Sequence, residues 1–145
     1  MRIMLDTNVI LDVLLQREPF HEAGKRVMEL AQYAEIEEYV SASAVTDIFY
    51  IAHRALRDVA LVSDMLQRLF SFVGVVTVSA REIQGALDLA WDDFEDAVQY
   101  SAARSENMDA IITRDAQGYS QGAIPVYRPD EFWAMVMQTK RLSGT

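Results

Sequence analysis

Met1-Arg2-Ile3-Met4-Leu5-Asp6-Thr7-Asn8 opens the chain: a short apolar run that ends directly on a carboxylate. Consecutive apolar residues without polar alternation are the pattern of a strand covered on both faces, as in a parallel sheet. Open parallel sheets bind their ligands just outside the carboxyl ends of the strands, and Asp6 falls there. The far part of the chain repeats the device, where Ala110-Ile111-Ile112-Thr113 runs into Arg114-Asp115. Two acids placed alike point to a shared site.

Between these strands, β and α patterns alternate. The sequence predicts a strand over Arg2–Leu5, a short helix over Asn8–Leu15, a turn at Arg17-Glu18-Pro19 and a helix over Phe20–Ala34. In that helix Ala23, Val27, Leu30, Ala31 and Ala34 follow the helical period. A strand is expected over Tyr39–Ala42, then a helix capped by Ser43 and running to Leu56, and another over Asp58–Phe70. Gly74–Val78 reads as a strand, Ser79 as the cap of a helix over Ala80–Trp91, and Phe94–Ser105 as a further helix. Strands at Ala110–Thr113 and Ile124–Tyr127 and a last helix from Pro129 complete the pattern. Alternation of this kind specifies a three-layer α/β/α domain with a mostly parallel sheet, here expected to be one domain over residues 1–145.

Composition narrows the possible chemistry. Half of the 145 residues are hydrophobic, which calls for a packed core. There is no cysteine, so disulfides, thiolate metal sites and cysteine nucleophiles are excluded, and a reducing cytoplasm is the expected location. No apolar stretch approaches the roughly 20 residues of a membrane span, and the strand-like start does not read as a signal peptide. The net charge of −9 disfavours a basic nucleic-acid-binding module, although bound divalent cations can invert the local field.

The acids themselves are grouped. Asp6 ends the first strand, and Asp47 lies in the first turns of the helix after the second. Asp92, Asp93, Glu95 and Asp96 cluster at a helix start, and Asp115 follows the fourth strand. Strand C-termini and the N-termini of following helices lie at one edge of a parallel sheet, so all four groups should converge there. Singly, each has a plainer role: Asp47 as a helix-dipole acid, Asp92 or Asp93 as a cap, Asp115 as a turn residue. Together, close carboxylates repel unless protons or cations neutralise them. Oxygen-only ligand sets suit Mg²⁺ or Mn²⁺, and a pair of such ions about 4 Å apart can drive phosphodiester cleavage without a histidine base. The two histidines, His21 and His53, read as helix-surface or partly buried residues, Asp12 as an exposed helix acid, and Arg114 as the partner of a surface acid.

At these positions the chain resembles the PIN domain family. Leu5-Asp6-Thr7-Asn8-Val9, Val45-Thr46-Asp47-Ile48-Phe49-Tyr50, Asp93-Phe94-Glu95-Asp96-Ala97 and Ala110-Ile111-Ile112-Thr113-Arg114-Asp115 occur in the family's order and spacing, with most likeness to the bacterial VapC-like toxin branch. The resemblance implies a Mg²⁺- or Mn²⁺-dependent ribonuclease, the toxin of a toxin–antitoxin pair, and a homodimer. By position it implies Asp6, Asp47, Asp96 and Asp115 as metal-binding acids, Asn8 and Thr113 as supporting polar residues and Asp93 as an auxiliary acid. Many family members carry Glu where this chain has Asp47, a reach shorter by one methylene. RNA-holding charge would fall on Arg54, Arg57, Arg114 or Arg128, and an antitoxin groove on Leu14, Leu15, Phe49 and Tyr50.

Two other functions fit parts of the pattern. A phosphatase using Asp6 as nucleophile would need a second acid two residues on, where this chain has Asn8. A catalytically inactive binding module would use the acids only to attract a basic partner.

Overall fold

The structure is a computed structural model that describes residues 1–144. Four strands, β1 (Arg2–Leu5), β2 (Glu37–Ser41), β3 (Val73–Val76) and β4 (Ala110–Ile112), and the two-residue β5 (Val126–Tyr127) form one sheet in the order β3-β2-β1-β4-β5. Every neighbouring pair is parallel, with Met4 aligned to Tyr39 on one side and to Ile111 on the other. Strand β1 is central, which explains its unalternating sequence. Ile3 and Leu5 enter one core and Met4 the other, as the two-residue period of a strand requires.

The layers follow from that split. Helices α1 (Thr7–Leu14), α2 (His21–Glu29), α3 (Ala42–Leu56), α4 (Val59–Leu69) and α7 (Pro129–Leu142) bury apolar residues in the core of Ile3 and Leu5. Helices α5 (Ala80–Leu89) and α6 (Phe94–Ser105) pack on each other through Ala86, Ala97 and Val98. The α6 residues Tyr100, Ala102 and Ala103 meet Met4, Ile111 and Tyr119 on the opposite face. The expected three-layer α/β/α arrangement is present. Among the described residues, no helix is long and apolar enough to cross a membrane.

Several boundaries differ from those predicted, for identifiable reasons. Helix α2 stops at Glu29 and tightens into a 3₁₀ turn over Leu30–Gln32, with Tyr33 N–H bonded to the Leu30 carbonyl at 3.0 Å. That turn delivers Ile36 to the core. Strand β2 begins earlier than expected because Glu37 and Glu38 pair with Arg2 and Ile3. It ends at Ser41, and Ser41 rather than Ser43 caps α3, its hydroxyl accepting from Ala44 N–H at 3.3 Å. Val78 leaves the sheet after β3 but still packs on the α6-side core. Helix α5 closes at Ala90 in the left-handed conformation, φ 55°.

Glu38 breaks the polarity pattern. Its aligned neighbours Ile3 and Val73 belong to the larger core, and its own side chain is sealed there. Among the described residues, neither carboxyl oxygen has a hydrogen-bond partner. Burial alone pushes this carboxyl up from its ordinary 4.5 to about 9, so it holds its proton at neutral pH.

Candidate functional site

The site is built at the carboxyl ends of β1 and β4. Asp6 leaves β1 with its own N–H still paired to the Ile112 carbonyl at 2.9 Å, and then caps α1. Its Oδ1 accepts from Thr7 N–H at 2.7 Å and from Gln99 Nε2 at 2.9 Å; its Oδ2 accepts from Thr113 Oγ1 at 2.8 Å. Three donors from three elements therefore hold one buried carboxylate. The adjacency of β1 and β4 brings Thr113 within reach, as the two homologous strand ends require.

Thr113 is the hub. Fully buried, it donates to Asp6 and accepts at Oγ1 from Asn8 Nδ2 at 3.3 Å and from Asp115 N–H at 3.0 Å. Asn8 also accepts, at Oδ1, from Arg114 N–H at 3.3 Å. The Thr-Arg-Asp segment is thus tied to the Asp-Thr-Asn segment by backbone and side chain together. Asn8 and Thr113, the expected supporting residues, lie at the carboxyl ends of β1 and β4 and are hydrogen-bonded to each other.

Helix α6 brings the third group. Asp93 caps it, accepting from Asp96 N–H at 3.0 Å, and Asp96 then faces Asp6 and Asp115 from the first turn. Partial burial, reinforced by the charges of Asp6, Asp93 and Asp115, pushes the Asp96 carboxyl from 3.8 up to about 7. The Tyr119 hydroxyl lies buried beside Asp6 and Asp96, meets hydrogen-bond geometry with neither, and is raised by burial and by both charges. Gly118 makes the close approach possible. A β-carbon there would stand 2.4 Å from Asp96 Oδ2 and 3.5 Å from Asp115 Oδ2.

Asp6, Asn8, Asp93, Asp96 and Asp115 line one pocket of about 290 Å³. Asp47 does not. It lines an adjoining pocket of about 270 Å³ with Ser43, Ile83 and Phe94, and among the described residues only Glu95 and Gln99 reach both. Its influence on the first pocket passes through charge: Asp47 is the largest cause raising the Glu95 carboxyl, ahead of burial and of Asp93 and Asp6.

Asp12 corrects the sequence reading. Rather than exposed, it is buried on α1, with Arg114 Nε on Oδ2 at 2.6 Å and Nη2 on Oδ1 at 3.2 Å. Arg114 also lies over the Phe20 ring, 3.9 Å from its centroid. Its partner is a buried acid 102 positions away, which no local pattern announces. Gln99, Tyr119 and Arg17 were likewise not singled out. Gln99 carried a signal, because it lies three residues after Asp96 and so shares its helix face.

The donor set is all oxygen, and Asp96 is a crowded carboxylate that a cation would relieve. Asp6, Asp96 and Asp115 therefore fit a hard divalent ion in chemistry. Among the described residues no three acidic groups close on one point as a finished ligand cage.

The fold and this pocket define a PIN domain, and the chain belongs to that family: the family model described as PIN domain matches residues 2–117. One relative, Ribonuclease VapC1 of Aquifex aeolicus (strain VF5), is 24% identical over 136 residues, covering 90% of this chain and 92% of its own. Among solved structures, VapBC2 from Rickettsia felis bound to a DNA fragment from its promoter is similar at TM-score 0.71 and 16% identity, over 88% of this chain and 98% of that one. Mycobacterium tuberculosis VapC20, a sarcin-ricin loop cleaving toxin, is similar at TM-score 0.67 and 20% identity, over 83% and 95%.

Proposed function

We propose that this chain is a divalent-metal-dependent ribonuclease that hydrolyses RNA phosphodiester bonds, using Mg²⁺ or Mn²⁺, and acts as the toxin of a toxin–antitoxin pair. The observation that carries this reading is the packing of Asp6, Asp96 and Asp115 into one pocket as an all-oxygen acid set, with Asp96 pushed up to about 7 by burial and by the charges around it. Family membership and the likeness to Ribonuclease VapC1 support the substrate class. The likeness to VapBC toxin–antitoxin structures supports an antitoxin partner, and a homodimer is the expected assembly.

Asp6, Asp96 and Asp115 would hold the metal. Held by these acids, a hard divalent cation would supply charge neutralisation, polarisation of a phosphodiester and a lowered pKa of water. The chain's own part is preorganisation. Thr113, Gln99 and Thr7 N–H fix the orientation of Asp6, and Asn8 and Thr113 fix the backbone from which Asp115 projects. Asp93 holds the first turn of α6 and so aims Asp96. Asp47 adds negative charge beside Glu95 and deepens the demand for a cation.

The test is cleavage of single-stranded RNA with Mg²⁺ or Mn²⁺ added in turn. Asp6→Asn and Asp96→Asn should each abolish cleavage while leaving the circular-dichroism spectrum and cooperative melting intact. Full cleavage by either folded variant, or undiminished cleavage in excess chelator, would sink the reading.

A further inference from the structure

A pocket lined by so many carboxylates poses an electrostatic problem for a polyanionic substrate, and one residue on its wall answers it. Among the described residues lining the acid pocket, Arg17 is the one cation. Its backbone is anchored between two helices: its N–H donates to the Asp12 carbonyl at 2.9 Å, and its carbonyl accepts from Phe20 and His21 N–H at 3.0 and 2.8 Å. The side chain is 38% exposed. Its guanidinium comes no closer than 3.9 Å to Asp12 Oδ1, too far for a hydrogen bond.

Asp12 is meanwhile already satisfied. Both of its oxygens accept from Arg114, in the paired geometry that makes guanidinium–carboxylate contacts strong. Two guanidinium groups thus share one carboxylate, and the surplus positive charge sits on Arg17 in the lining of the acid pocket. A plain counter-ion role would have Arg17 bonded to Asp12. Instead the Arg17 guanidinium makes no hydrogen bond among the described residues, while the residue itself lines the pocket.

Resting on the ribonuclease reading above, we propose that Arg17 is a substrate-binding residue that takes a backbone phosphate of the RNA next to the one at the acids. The planar fork of donors suits a phosphate, and a positive charge in the pocket lining offsets the repulsion between strand and carboxylates. Asp12 then serves two arginines differently: it locks Arg114 into the fold and leaves Arg17 free to turn toward the strand.

The experiment uses the full chain. Steady-state cleavage of a single-stranded oligoribonucleotide is measured at saturating Mg²⁺ for the parent, Arg17→Ala, Arg17→Gln and Arg17→Lys. Binding of the same oligonucleotide is followed across a salt series in the Asp96→Asn background. Loss of the charge should raise KM about tenfold with a much smaller change in kcat, and lower the slope of log affinity against log salt by about 0.7, the share of one single-strand phosphate. Arg17→Lys should restore the salt slope, which a merely structural side chain would not. An unchanged KM and salt slope in folded Arg17→Ala or Arg17→Gln overturns the proposal, as does a fall in kcat alone. If those variants are normal while the parent cleaves RNA, only the role of Arg17 fails. If the parent neither cleaves nor binds RNA, the ribonuclease reading fails and takes this one with it.

Discussion

Replacing Glu38 by Gln should change how the stability of this protein depends on pH more than any surface mutation could. The Glu38 carboxyl is sealed in the larger core without a hydrogen-bond partner and is raised from 4.5 to about 9 by burial. Between those two values the folded chain holds a proton that the unfolded chain releases. Stability contributed by this group is therefore complete below about pH 4.5 and is lost progressively as pH rises toward 9. At pH 7 the folded state must take up a proton against two and a half pH units, which costs about 3 kcal/mol at 1.4 per unit. That is a large fraction of the 5–15 kcal/mol typical of a folded domain. Gln has similar size and no proton to gain. Urea unfolding at pH 5 and pH 8 should thus show the parent losing about 4 kcal/mol more than Glu38→Gln across that range. Taking the difference between the two chains cancels the carboxylates of the pocket, which titrate in both. Glu38→Met should go further at neutral pH, since it also removes the unsatisfied polar atoms. Parallel pH profiles for parent and Glu38→Gln, at equal urea m-values, would refute the argument.

Other perturbations probe the site. Asp12→Ala strips a buried partner from Arg114 and should cost about 3 kcal/mol by chemical denaturation, more than an exposed ion pair could. Gly118→Ala places a β-carbon 2.4 Å from Asp96 Oδ2, so the carboxylate must move. The fold should persist by circular dichroism while the Mg²⁺-induced rise in Tm drops by more than about half. For the parent chain, Mg²⁺ at a hundred times its Kd should add about 2.7 kcal/mol, seen as a higher Tm. An unmoved Tm at saturating Mg²⁺ and Mn²⁺ would count against the site.

What could be read in the sequence depended on distance along the chain. Strand β1 was legible because a central strand covered on both faces has no alternation to hide, and its closing acid was visible with it. The early-helix acids were legible as a group because capping alone does not call for so many. What local pattern could not supply was any partner far away. Asp12 reads as solvent-facing until the fold brings Arg114 beside it, and Glu38 reads as the polar start of a strand until β1 and β3 enclose it. The choice between Ser41 and Ser43 as cap turned on where β2 pairing stopped, a property of its neighbours. Asp47 is expected at the shared edge, yet it lines the adjoining pocket, whose walls come from α3, α5 and α6 together.

The hub at Thr113 also sets an order of events during synthesis. Asp6 is made 107 residues before Thr113, and its Oδ2 has its donor only once residue 113 has been added and β4 has docked beside β1. Asp115, Gly118 and Tyr119 come later still. A nascent chain ending after α6 has Asp6, Asp47 and the acids at the start of α6 but lacks Thr113 and Asp115, which complete the pocket. Translation that stalls or terminates there releases a fragment without the assembled site, so a cell making this protein is exposed to its chemistry only when the second half of the sheet has closed.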